Sequence, residues 1–586
     1  MIYIREIIFE LILKRIFCVL FSSVSDFRNH LIILARVLIC IFVFYLIFIM
    51  KKIFLLFASM AMFNGHAQQR PKLVVGIVVD QMKMEYLYRF SDDFSTNGFK
   101  RLMNEGYVFH NTHYNYMPTY TGPGHASIYT GTTPAIHGIV GNTWFDKSIG
   151  KSRYCTDDAS VTILGTGDSD EGKMSPLNLE STTVTDELRM ATNFKGKVIG
   201  ISVKDRGAIL PAGHFANWAF WLSDSGNFIS STFYGKQLPN WVSEFNAKKK
   251  YESYLNKDWT LLKQESVYSK SLADDNPYEG LLYGSKKPVF PYDLKKMYAE
   301  KGAKVIKTTP FGNDIVADFA KESIVSENLG MDNETDFLAV SFSSTDYIGH
   351  LTGPRSREVQ DTYLRLDETI ADFLSYLDKK VGKDNYLLFL TSDHAAAENV
   401  NFLKDNKYAV NAVDYKKLST QLREFSKATF GTDLVLNYSN FNLFFDQKQI
   451  QEKGLSLDKV KAAFKDFLMK MPQVKRVYTE EEILAGTTAD HFLTYITKGY
   501  DPKQNGDLVI LDKPGYIEHE GTGTSHGTPY SYDTHVPLLF YGWNIKKGES
   551  FDKKVITQIA PTIAQKIKID FPNGTEAHVL TEVLGN

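Results

Sequence analysis

The chain predicts an α/β fold: a largely parallel central sheet with helices on both faces, plus smaller inserted α+β cap regions. Three observations lead there. Short runs of Val, Ile, Leu and Phe lack polar alternation, which is the pattern of strands buried on both faces. Helical periodicities fall between those runs. Most of the runs end in Asp, Lys, Arg or His, as strands do when their carboxyl ends face a ligand crevice.

In chain order, the first run is "KLVVGIVVDQM", Lys72 to Met82, which ends in Asp80. The helical pattern "STTVTDELRMATNF" precedes "KVIGISVKDR", Lys197 to Arg206, and that run ends in Lys204-Asp205-Arg206. The third, "DFLAVSFSSTD", ends in Asp346, with His350 four residues on. "EVQDTYLRLDETIADFLSYLDKKV" is the helix before the fourth run, "NYLLFLTSDH", which ends in Asp393-His394. The fifth is "HVPLLFYG", His535 to Gly542.

Two intervals break this alternation. Residues from about 212 to 310 are rich in Trp, Tyr, Asn and Lys. Residues from about 400 to 500 hold strand-like "NFNLFF", helix-like "SLDKVKAAFKDFLMKM" and strand-like "VKRVY". Both read as insertions on the core sheet, placed to cap a site. No internal repeat and no low-complexity linker marks a further domain.

Residues 1–67 read as a leader and 68–586 as one catalytic domain. "MKKIFLLFASMAMFNGHAQQ", from Met50, has a basic start, an apolar run and small residues before Gln68, the form of a secretory signal cleaved near Ala67. On this reading translation starts at Met50, the first 49 residues are a mis-extended start, and the product is periplasmic or secreted. The competing reading is a membrane anchor, because "LIILARVLICIFVFYLIFIM" is long enough to span a bilayer. No cysteine follows the apolar run, which argues against a lipid anchor.

A hydrophobic content of 44% with 23% charged residues describes a globular protein. A formal charge of -2 gives no reason to expect a nucleic acid or an anionic membrane surface as partner. Among three cysteines only Cys155 lies beyond the leader, so an internal disulfide and a thiolate metal cluster are excluded. A metal here is held by His and carboxylates.

Those ligands are present. Asp80, Asp346, His350, Asp393 and His394 stand at or just past strand ends, and His526 lies in the glycine-rich "GTGTSHGTP". Singly, each reads as a turn, a cap or a satisfied histidine. Together, three Asp and three His suit Zn²⁺, and they are too many for one tetrahedral ion. Two ions fit if a hydroxyl completes one shell. Thr121, in "YNYMPTYTGPGHASIYTG", supplies it. Locally Thr121 reads as a helix N-cap, but coordination lowers a hydroxyl pKa and makes it a nucleophile. Two ions also clamp an in-line phosphoryl displacement. Lys204 and Arg206, two apart on a strand end, grip phosphoryl oxygens, Asn142 of "GIVGNTWFD" adds an amide donor, and a helix starting near Gly124 offers its N-terminus.

These residues resemble the alkaline phosphatase superfamily, and more narrowly its phosphate-irrepressible alkaline phosphatases of the PafA type. The resemblance spans nearly all of the chain beyond the leader and rests on "STDYIGH", "TSDHAAAE", "NTWFDK" and "VKDRGAILPAGH". It implies a two-zinc phosphate monoester hydrolase that acts on small molecules as a monomer. One zinc falls to Asp346, His350 and His526, and the other to Asp80, Asp393, His394 and the Thr121 nucleophile. Asn142, Lys204 and Arg206 fall on the phosphoryl oxygens. A phosphothreonine intermediate and net retention at phosphorus follow.

Thr121-Gly122-Pro123-Gly124-His125 cannot yield the formylglycine of sulfatases. Phosphodiesterases and nucleotide pyrophosphatases share T-x-P-x-H and a downstream Asn; the two cations of Lys204-x-Arg206 favour a dianionic monoester. A secreted zinc- and phosphate-binding protein with an inert hydroxyl is the non-enzymatic alternative. His125 reads as a brace for the Thr121 turn. His137, His214, His491, His535 and His578 are assigned to structure, and Trp144 and Trp218–Trp221 to core packing over a pocket lining.

Overall fold

The computed structural model describes residues 10–11, 14–15, 27–62, 70–167, 170–486, 490–518 and 521–585. They fall into two compact units, residues 1–70 and 71–586. In the first, Phe27–Met62 is one helix, and its stretch Leu31–Ile53 is long and apolar enough to cross a membrane. Met50 lies inside that helix, and the expected cleavage near Ala67 lies outside the described residues.

The second unit is built on an eleven-stranded sheet. Its main strands are β1 (Leu73–Val79), β2 (Tyr107–His113), β3 (Val198–Ser202), β4 (Trp218–Leu222), β5 (Phe228–Ser231), β6 (Asp336–Phe342), β7 (Tyr386–Thr391) and, later in the chain, His535–Gly542. β7, β1, β6, β3 and β4 are consecutive and parallel. Leu73 sits opposite Asp336 on one side and Tyr386 on the other, so three strands start level and finish level. The side chains just past their ends therefore emerge together.

Alternate residues of β1 feed two cores. Leu73, Val75, Ile77 and Val79 pack with helices Phe311–Ser326 and Arg357–Lys380. Val74 and Val78 pack with helices α1 (Thr121–Thr130), α2 (Val184–Ala191) and Ile559–Ile567. Both faces being covered, the strands need no polar side, which is why their sequences run apolar without a break.

Two expectations are corrected. His535–Gly542 is antiparallel to both neighbours, β7 and β2. Its apolar run reports burial inside the sheet, and burial carries no information about strand direction. The interval from 212 to 310 is not wholly an insertion, since β4 and β5 extend the main sheet and Trp259, Tyr268 and Tyr292 lie in the same core as β1. Its aromatic richness is core packing.

The interval from 400 to 500 contributes to a second, smaller sheet. Strands β8 (Val435–Ser439), β9 (Asn442–Phe445), β10 (Val474–Thr479) and β11 (Leu508–Asp512) form a four-stranded sheet ordered β8-β9-β11-β10. Helix Leu457–Leu468 covers it over a separate cluster around Leu443, Phe464 and Ile510. The sheet closes with β11, beyond residue 500.

Candidate active site

Four neighbouring parallel strands deliver the candidate residues to one edge: Asp80 after β1, Lys204 after β3, Asp346 after β6, and Asp393-His394 after β7. Asp346 and His350 stand one turn apart on helix Ser344–Thr352.

α1 begins at Thr121 itself. Tyr120 is its N-cap and makes no side-chain capping bond. The Thr121 hydroxyl is therefore not spent on the helix; it lies buried, 3.4 Å from His394 Nε2. Gly-Pro-Gly is the first turn of the helix, where proline costs nothing. Gly124 is required by contact: a Cβ there would lie 2.2 Å from the Asp393 carbonyl oxygen. The Gly122 N–H donates to Asn142 Oδ1 at 2.7 Å, which leaves the Asn142 amide nitrogen as the outward donor.

The three histidines share one construction. Each donates Nδ1–H to a peptide carbonyl: His350 to Thr524 at 2.9 Å, His394 to Ala395 at 2.9 Å, and His526 to Thr119 at 2.7 Å. Each thereby presents a bare Nε2 to the carboxylates, the tautomer that binds a metal. His350 Nε2 is 3.1 Å and His526 Nε2 3.8 Å from Asp346 Oδ1; His394 Nε2 is 3.5 Å from Asp80 Oδ1 and 3.6 Å from Asp393 Oδ2. Among the described residues two groups have metal-binding spacing, Asp346-His350-His526 and Asp80-Asp346-His394. Asp80 Oδ1 and Asp393 Oδ2 are buried without a hydrogen-bond partner. Orphaned carboxylate oxygens facing bare imidazole nitrogens fit divalent metal binding.

The electrostatics agree. Burial holds the His394 imidazole down at about 4 against the pull of Asp80 and Asp346. Burial, then His394 and His350, holds His526 well below its ordinary value. Burial and the neighbouring Asp80 charge push Asp393 well up. Asp346 is held well down, because His350 and Lys204 outweigh its burial.

The cations are placed differently from expectation. Lys204 and Arg206 are not on a strand: Lys204 is the N-cap of helix Asp205–Ala212 and Arg206 lies in its first turn. Lys204 Nζ sits between Asp80 Oδ2 at 2.7 Å and Asp346 Oδ2 at 2.5 Å, a carboxylate-neutralising position. Arg206 Nη1 donates to the Tyr154 hydroxyl at 2.8 Å, and its Nε has no partner among the described residues. Among the described residues Arg206 forms no ion pair, so its charge is available to an anion.

Several residues went unread in the sequence. Gln81, at a left-handed φ of 64°, donates from its backbone to Asp393 Oδ1 and from its side chain to Asp346 Oδ1, tying the two groups together. Tyr154 positions Arg206, and Thr345 anchors the Asp80 carbonyl. The only signal for Gln81 was a polar residue directly after a strand-end Asp. Four other histidines have side-chain partners: His125 braces the Thr121 carbonyl and Ser341, His137 meets Ser127, His214 meets Asp186, and His535 meets the His110 carbonyl. Trp144 is buried against Gln504, and Trp221 lies in the core.

A helix headed by a threonine and facing buried Asp/His groups at the end of a parallel sheet is the arrangement of a metal-dependent hydrolase, and the comparisons agree. Residues 74–535 match the family described as type I phosphodiesterase / nucleotide pyrophosphatase, and the chain belongs to it, within the alkaline phosphatase superfamily. It is 46% identical over 527 residues to the alkaline phosphatase PafA of Elizabethkingia meningoseptica, covering 89% of this chain and 96% of that protein. It is also 46% identical to a Myroides odoratus protein named calcium-transporting ATPase, over 90% of this chain and 97% of that one. The crystal structure of wild-type PafA superposes with a TM-score of 0.86 at 45% identity, covering 89% of this chain and all of that one. A variant of that enzyme solved with equal similarity is substituted at a Thr, an Asn, a Lys and an Arg whose spacing matches Thr121, Asn142, Lys204 and Arg206.

Proposed function

We propose that this chain is an alkaline phosphatase: an exported, zinc-dependent hydrolase of small phosphate monoesters that uses Thr121 as nucleophile. The observation that carries the reading is the Thr121 hydroxyl, free of any capping role and 3.4 Å from a neutral imidazole of the Asp80-Asp346-His394 group. Similarity to an alkaline phosphatase over most of both chains supports it.

Two zinc ions held by Asp346, His350 and His526, and by Asp80, Asp393, His394 and Thr121, would supply positive charge where negative charge develops and lower the pKa of a coordinated oxygen. The chain's own residues do the rest. Thr121 Oγ1 forms a bond to phosphorus as the ester P–O bond breaks and the alcohol departs with a proton. Water then attacks the phosphothreonine, releasing phosphate and restoring the hydroxyl, so two in-line steps retain configuration. Arg206, fixed by Tyr154, and the Asn142 amide hold non-bridging oxygens. Lys204 balances Asp80 and Asp346 and lies within reach of the same anion. The terminal phosphoryl group of a nucleoside triphosphate is also a dianion, and the same site accommodates it.

Because the matched family is described by diester cleavage, a phosphodiesterase is the second reading. A guanidinium without an ion pair favours the dianionic monoester. The deciding experiment measures para-nitrophenyl phosphate against bis-para-nitrophenyl phosphate on zinc-loaded protein, with and without chelator. Faster, chelator-sensitive monoester turnover is expected; a diester preference reverses the assignment. Zinc and phosphate binding with no turnover makes the protein a binder. The leader, residues 1–67, is proposed to direct export, and the working state is proposed to be a monomer.

A further inference from the structure

One wall beside Thr121 has no part in holding metal or phosphate. Tyr120 sets its ring edge-on to His526 at 5.7 Å and packs into the same apolar cluster as Tyr415 and Tyr530. Tyr415 meets Tyr438 at 5.6 Å with planes 67° apart, and its hydroxyl donates to Asp512 Oδ2 at 3.1 Å. Asp512, at the end of β11, is 2% exposed, yet among the described residues its Oδ1 meets no partner, and the buried Tyr438 hydroxyl meets none either. The ionisable carboxyls nearest Tyr120, Tyr415 and Tyr438 are Asp512, Glu518 and Asp533. Burial pushes both Asp512 and Asp533 up to about 7, which for Asp512 is the state of a buried carboxyl with no cation beside it among the described residues.

The wall lies on the departure side of the reaction. In-line attack by Thr121, which faces His394, sends the leaving oxygen to the opposite side, toward the group that contains His526. Tyr120 lines that side. Tyrosine faces set at an angle, with an orphaned carboxylate oxygen behind them, favour a cation over a neutral or anionic group.

We infer that Tyr120, Tyr415 and Tyr438, backed by Asp512, form a leaving-group subsite for phosphate monoesters whose alcohol carries an ammonium group. The inference rests on the phosphomonoesterase reading above and adds the substrate class. The ammonium takes the position that Asp512 Oδ1 and the Tyr438 hydroxyl leave unsatisfied.

The test compares kcat/KM for phosphoethanolamine with that for glycerol phosphate on zinc-loaded protein. Asp512→Asn is expected to lower the phosphoethanolamine-to-glycerol-phosphate ratio by about tenfold, and Tyr438→Leu by about threefold, the scale of a lost charge contact and a lost cation–π contact. Ratios within about twofold of the parent in both variants, with both esters hydrolysed, overturn the subsite and leave the phosphatase standing. Hydrolysis of neither ester by the parent protein overturns both. If Asp512→Asn does not fold, Tyr438→Leu decides on the same ratio.

Discussion

The two Asp/His groups differ in how they meet solvent and charge. The group around His394 is sealed: Asp80, Asp393 and His394 are fully buried, and the imidazole is held neutral down to about pH 4 by burial. The group around His350 is open: that side chain is 38% exposed, and although burial opposes it, the adjacent Asp346 raises its affinity for a proton. One half keeps the Thr121 hydroxyl dry and the other lies open to solvent. The contrast teaches that the two halves answer to different variables, the first to packing and the second to pH and competing ligands.

The largest expected effect separates chemistry from metal binding. Thr121→Ala should cut monoester turnover on the order of 10⁴-fold or more while zinc content, read by elemental analysis, stays near that of the parent. Loss of zinc in step with activity would make Thr121 structural. Next, Lys204→Met removes the ammonium between Asp80 and Asp346 and should destabilise the metal-free protein by about 3–5 kcal/mol. Melting curves with and without zinc should converge in the parent more than in the variant.

Acid should split the halves in opposite senses. His394 has a folded pKa below its unfolded one, so the stability it contributes to metal-free protein is lost as pH falls from about 6.5 toward 4, on the order of 3 kcal/mol. His350 has a raised folded pKa, so its contribution is present below the unfolded value and is lost as pH rises through the folded one. Imidazole Cε1–H shifts of metal-free protein should show His350 protonating first; the reverse order would contradict the contrast. The smallest effect is Gly124→Ala, which should press on the Asp393 carbonyl and cost about 1–3 kcal/mol in a thermal melt. Zinc affinity should fall at the sealed group alone, seen as one of two sites lost in a chelator titration.

Much of this was readable in advance, for a definite reason. Apolar runs ending in Asp80, Asp346 and Asp393-His394 announce both the strands and the edge where they finish, because strand ends in such sheets collect ligand-binding side chains. Strand direction was not readable, since "HVPLLFYG" is buried either way. The placement of Lys204 at a helix N-cap also escaped, because one residue separates a strand end from a helix start and both tolerate lysine. The 212 to 310 interval hid β4 and β5 behind aromatic residues that suit a core as well as a cap. Gln81 and the carbonyls of Thr119, Thr524 and Ala395 escaped because a backbone acceptor has no residue signature.

Those carbonyls set a limit on redesign. His350, His394 and His526 are each aimed by a peptide oxygen, and a point substitution at residues 119, 395 or 524 swaps a side chain while leaving that oxygen in place. Ion preference is therefore insulated from drift at the tether positions. An engineer seeking a new metal must either recast the carboxylates or transplant the loops whole.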